Sequence, residues 1–122
     1  MDGQRVILVV DDDPSVRKST LRLLAARGYT AFEAQNAAEA LAKAVASVPD
    51  AILMDLHMQH TSGLEAARQL KAVTALANVP IIAVSATPPL PEEALQLFAR
   101  ILPKPCPSND MVDAIEAVLH RP

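Results

Sequence analysis

The sequence has no tryptophan, one tyrosine and two phenylalanines among 122 residues. A domain that stacks bases or clamps a flat cofactor normally carries more aromatic surface, so those classes are disfavoured. A single cysteine, Cys106, excludes an internal disulfide, and a free thiol fits a reducing cytoplasm. There is no basic excess: the net charge of −3 argues against a nucleic-acid surface, which normally shows a basic stripe. Long apolar runs are also missing. The longest, Val6–Val10, is far short of the roughly 18 residues a membrane helix needs. No charged-then-apolar leader precedes it, and no signal peptide is expected.

What is present is ordinary for a globular domain: 51% hydrophobic and 20% charged residues. The length suits one domain, with a core over about residues 5–119, and leaves room for one site. No linker or low-complexity stretch interrupts it.

The pattern is five strand-then-helix units. Arg5–Val10 is a continuous Val/Ile-rich run, as in strands buried on both faces of a parallel sheet. Pro14 opens a helix carrying Val16, Thr20, Leu23 and Leu24, and Gly28 closes it. Tyr29–Ala34 is the most polar strand and suits an edge. Asn36 with Glu39 resembles a capping box. The helix that follows has Ala38, Leu41, Val45 and Val48 on one face. Ala51–Met54 is the third strand and ends in Asp55. Ser62 with Glu65 repeats the capping pattern, with Leu64, Ala67 and Leu70 facing inward. Val79–Val84 is the fourth strand. A proline-rich loop, Ser85–Pro91, leads to a short helix at Glu92. Arg100–Leu102 is the last strand, and Ser108–Leu119 the last helix.

This alternation implies an α/β fold with a parallel sheet covered on both faces. In such sheets the site lies beyond the carboxyl ends of the strands. Asp11–Asp13, Asp55, Ser85 and Lys104 all fall at that edge. Carboxylates brought together from two strands repel one another unless a cation intervenes, and an oxygen-only set suits Mg²⁺. A lysine and a hydroxyl facing such carboxylates describe a phosphoryl site. His57, His60 and His120 are too scattered for zinc. Taken singly, each residue has a plainer role: Asp11–Asp13 as helix caps, Asp55 and Ser85 as loop residues, Lys104 as a solvated lysine. Their joint placement favours one site.

Val9–Pro14 (VVDDDP), Pro49–Leu56 (PDAILMDL), Ser85-Ala86 and Lys104-Pro105, in that order and spacing, resemble the receiver domain of two-component response regulators. The resemblance implies a flavodoxin-like (βα)5 three-layer sandwich with strand order 2-1-3-4-5. It implies that Asp55 is the phosphoacceptor. Asp12 and Asp55 would bind Mg²⁺ (or Mn²⁺) directly, Asp11 through water, and the backbone carbonyl of His57 would complete the set. Lys104 would pair with the phosphoryl group, Ser85 would hydrogen-bond to it, and Lys104-Pro105 would be a cis peptide. The donor would be a phosphohistidine on a sensor histidine kinase or phosphotransfer protein. The reader would be a downstream effector or an output domain outside this segment. A cytoplasmic location is implied, with no membrane or nucleic-acid contact by this segment and no enzyme activity beyond its own phosphorylation and dephosphorylation.

The sequence also departs from that pattern. The switch aromatic is replaced by Ile101, a loop proline by Gln59, and the aromatic after Lys-Pro by Cys106. Pro103 just before Lys104 is a further departure, and the shortened span from Ser85 to Lys104, with Pro88, Pro89 and Pro91, predicts a short or displaced fourth helix. His57 and Thr87 occupy positions that tune dephosphorylation in the family, and an imidazole there would make acyl-phosphate lifetime pH-dependent. Arg17 and Lys18 read as a solvated helix face, with kinase contact as the functional alternative. A phosphorylation-independent docking module with a non-standard output face is the main rival. An aspartyl-phosphate hydrolase would need a second aspartate where His57 stands.

Overall fold

The computed structural model describes residues 5–58, 62–86 and 92–120. Five strands form one parallel sheet: β1 (Val6–Val10), β2 (Thr30–Ala34), β3 (Ala51–Asp55), β4 (Ile81–Ser85) and β5 (Arg100–Pro103), in the order β2-β1-β3-β4-β5. The helices are α1 (Pro14–Ala26), α2 (Ala37–Ala46), α3 (Gly63–Lys71), the single turn α4 (Glu92–Leu95) and α5 (Ser108–Leu119). The expected order and the short fourth helix are both observed.

Strand alternation divides the core in two. Leu8, Val10, Ile52, Met54, Ile81 and Ala83 point to one face and pack under α2 and α3. Ile7, Val9, Leu53, Ile82 and Val84 point to the other and pack under α1 and α5. Strands β3 and β4 are buried throughout, whereas β2 is the half-exposed edge its polarity suggested.

Local chemistry sets the helix ends. Asp13 caps α1 by accepting from the N–H groups of Ser15 and Val16, with Pro14 in the first turn. Gly28, at φ +92°, ends it. The N–H of Gly28 donates to Ala25 O at 3.2 Å and that of Tyr29 to Leu24 O at 3.0 Å, a Schellman closure. Asn36 and Ser62 accept from the N–H groups of Glu39 and Glu65. Glu39 returns to the N–H of Gln35, one residue earlier than a capping box requires.

The apolar face expected of α2 is corrected. Ala37, Ala40 and Ala44 are the buried row. Ala38 is exposed, Leu41 half-buried, and Val45 and Val48 are 52% and 49% exposed. A helix lying close on a sheet puts its smallest side chains underneath, and α2 stops at Ala46, before Val48. Val16 is likewise exposed on α1, where Thr20 and Leu24 are buried. β4 starts only after Pro80 and runs on to Ser85. A 3-10 turn at Thr74–Leu76, not expected from the sequence, buries Leu76 before β4. Gln59, His60, Thr87, Pro88, Pro89 and Pro91 lie outside the described residues.

Candidate functional site

The carboxyl ends of β1 and β3 bring Asp11, Asp12 and Asp55 together. One carboxylate oxygen from each lies within 4.8 Å of the others. Asp11 and Asp55 are buried and Asp12 half-buried. By sequence, Asp11–Asp13 suit either a helix cap or the site. The structure splits them: Asp13 caps α1, while Asp11 and Asp12 face Asp55.

Each group is held by backbone. Asp11 donates its N–H to Ala34 O of β2 at 3.1 Å, and its Oδ1 accepts from the N–H of Asp13 at 2.9 Å. Asp55 Oδ1 accepts from the N–H of His57 and from Lys104 Nζ, both at 2.9 Å. Lys104 is fixed in turn by its own N–H, which donates to Ser85 O at 3.0 Å. Ser85 is buried at the end of β4, and Lys104-Pro105 is cis. A cavity of about 50 Å³ touches Asp11, Asp55 and Lys104, over a floor of Val9, Leu53 and Val84. The His57 side chain is exposed, and Ile101 is half-buried against the α2/α3 core.

Burial pushes the Asp11 carboxyl above the usual range. The Asp13 N–H opposes the shift and the Asp55 charge adds to it. An ionised Asp11 is therefore strained in the absence of a cation. The donor set is all hard oxygen, which fits a hard divalent ion such as Mg²⁺. Asp11→Asn keeps an acceptor for the Asp13 N–H while removing the charge. In chelator-treated protein this variant is expected to melt a few degrees above wild type. Its Mg²⁺-dependent rise in melting temperature should be smaller than that of wild type. A melting point at or below wild type, measured in chelator by circular dichroism, would contradict this account.

Arg17 departs from the expected solvated face. Its side chain is only 12% exposed, with Nε on Glu33 Oε1 at 2.5 Å and Nη1 donating to Asp11 O at 2.8 Å. Lys18 is exposed, as expected. Nothing local marks Arg17, because Glu33 arrives from β2, across the sheet edge.

Residues 7–116 match the family model described as the response regulator receiver domain. The response regulator MprA of Mycobacterium ulcerans is 36% identical over 118 residues, covering 94% of this chain and 50% of that protein. MprA of Mycolicibacterium vanbaalenii gives the same figures. The chain thus spans about half the length of the curated relatives it matches. Among solved structures, a CheY-like receiver domain from Methylobacillus flagellatus superposes with a TM-score of 0.87 at 26% identity, over 95% of this chain and 99% of that one. The response regulator TrrA of Thermotoga maritima, solved in complex with Mg²⁺–BeF, gives 0.85 at 26%, over 95% and 100%.

Proposed function

The chain belongs to the response regulator receiver domain family, and from that premise we propose that Asp55 accepts a phosphoryl group in a two-component phosphorelay. The observation that carries this reading is the gathering of Asp11, Asp12 and Asp55 around one point, with Lys104 on Asp55.

Among the described residues both hydrogen bonds to the Asp55 carboxylate fall on Oδ1, which favours Oδ2 as the nucleophile. Attack on a phosphohistidine of a kinase or phosphotransfer protein, protonated on its other ring nitrogen, forms an O–P bond to Asp55 and breaks the P–N bond; the electron pair returns to the ring, which keeps that proton and leaves as a neutral imidazole. Lys104 Nζ moves from the carboxylate to the phosphoryl oxygens, whose charge it balances. Ser85 donates its hydroxyl to the same group, drawing the end of β4 toward it. Asp11, Asp12 and Asp55, with the His57 carbonyl, would hold a divalent ion there. Such an ion would supply positive charge to offset the repulsion between carboxylate and phosphoryl group.

The domain is a signalling module rather than a classical enzyme. Phosphorylation adds charge and strong acceptors, which bias a two-state element of the fold. With Ile101 in place of a ring, that switch runs on aliphatic repacking. Residues 1–122 act as one receiver unit, read by an effector protein or by an output region outside them. Among the described residues no helix is long and apolar enough to cross a membrane, and a cytoplasmic site of action fits the receiver reading. The gathered carboxylates do not favour the docking-module alternative.

The test is intact-mass measurement after incubation with Mg²⁺ and a small acyl-phosphate donor. One phosphoryl group is expected per chain, and none after chelation of the metal. No addition with either the small donor or a phosphorylated kinase overturns the reading.

A further inference from the structure

Two elements, β2 and α1, grip the Asp11 backbone. Its N–H goes to Ala34 O of β2, its carbonyl to Arg17 Nη1 of α1, and Arg17 is tied back to β2 by Glu33. The β2 end is itself held from α2, where Lys43 Nζ donates to Glu33 O. The Arg17 hydrogen bond holds the Glu33 carboxyl below its usual range, so the pair stays ionised near neutrality. Arg17 approaches the acidic cluster through a backbone carbonyl, and none of its described contacts is with a carboxylate of that cluster.

We propose that Arg17, locked by Glu33, is a positioning residue that sets the affinity of the divalent-ion site by fixing the Asp11 peptide. The proposal rests on the assignment of Mg²⁺ to Asp11, Asp12 and Asp55. The guanidinium suits this task, since its fork reaches two acceptors at once. A lysine ammonium is a point charge on a flexible stem and does not hold both the Glu33 carboxylate and the Asp11 carbonyl in that geometry.

Charge and position predict opposite signs. Arg17 is a cation beside a cation site, so deleting it for its charge alone tightens Mg²⁺ binding. Deleting a clamp loosens the turn carrying Asp11 and Asp12 and weakens binding. Removing Arg17 and Glu33 together leaves the local charge unchanged, so any loss in that double variant is positional. Outer partners of metal ligands typically contribute 10–100-fold in affinity. A half-hydrated Mg²⁺ site belongs at the lower end, at about tenfold.

The experiment is calorimetric titration of the chain with MgCl₂ alone, on wild type, Arg17→Ala, Arg17→Ala/Glu33→Ala and Arg17→Lys. Each variant is first checked for native far-UV circular dichroism. Both alanine variants are expected to bind about tenfold more weakly than wild type. Arg17→Lys, which keeps the charge, is expected to weaken binding as well. Phosphoryl uptake should recover at saturating Mg²⁺, because the defect is in binding rather than transfer. Wild-type or tighter affinity in Arg17→Ala or in the double variant overturns the proposal. If neither folds, wild-type affinity in Arg17→Lys does so. Absence of Mg²⁺ binding in wild type overturns the ion-site assignment itself, a distinguishable result.

Discussion

Asp55→Asn is expected to reduce phosphoryl uptake by on the order of a thousandfold or more, to below detection. An amide oxygen has little of the nucleophilicity of a carboxylate, and an acyl phosphate cannot form on it. The substitution is otherwise nearly silent. Asparagine offers an oxygen to the His57 N–H and to Lys104 Nζ, so both 2.9 Å contacts survive. It also removes one of three crowded negative charges, so the fold is retained. Neighbouring carboxylates are poor substitutes. The Lys104 ammonium that would balance a phosphoryl group is hydrogen-bonded to the side chain at position 55. Intact mass after treatment with Mg²⁺ and a small acyl-phosphate donor is the measurement. Persistence of one phosphoryl group in Asp55→Asn would place the acceptor elsewhere and sink the assignment.

The features that could be read from the sequence are local or edge-bound. Val6–Val10 announced a buried strand because no polar residue interrupts it, and Gly28 announced a helix end because only glycine takes that conformation readily. Asp11, Asp12, Asp55 and Lys104 were legible because strand alternation with helices puts all four at one edge. What stayed hidden depends on distances between elements. In α2 two rows, Ala37/Ala40/Ala44 and Ala38/Leu41/Val45, share the helical period, and only the closeness of helix to sheet decides between them. Arg17 looks like any helix-surface cation until Glu33 of β2 is placed beside it. Gly63 carries only a faint signal: a glycine directly after a capping serine has no helical advantage, so its presence implies close backbone approach.

That approach makes Gly63→Ala a damaging change for so small an addition. A Cβ at position 63 would lie 2.5 Å from Leu56 Cα, 2.8 Å from Asp55 O and 2.7 Å from Leu56 Cδ2. The first two are backbone atoms of the segment that carries Asp55, and they cannot rotate away. Gly63 also donates its N–H to Leu56 O at 3.2 Å, so α3 begins directly on the end of β3. Relief requires moving α3 outward or Asp55 inward. Overpacking of this kind costs about 1–3 kcal/mol, equivalent to a melting midpoint lower by about 4–12 °C. Because the displaced segment holds Asp55, Mg²⁺ affinity should fall together with stability. Gly28→Ala is the control. Nothing lies within 4 Å of its added Cβ, and only the positive φ is penalised, by roughly 1–2 kcal/mol. It lies at the far end of α1 and should leave Mg²⁺ affinity intact. Trimming the flexible contact discriminates further: Leu56→Ala removes Leu56 Cδ2 but neither backbone atom, so Leu56→Ala/Gly63→Ala should gain no Mg²⁺ affinity over Gly63→Ala. Thermal melts with Mg²⁺ titrations on the four variants decide the matter. A Gly63→Ala protein that melts with wild type, or a double variant restored to wild-type affinity, would show that the end of β3 yields where the geometry says it is rigid.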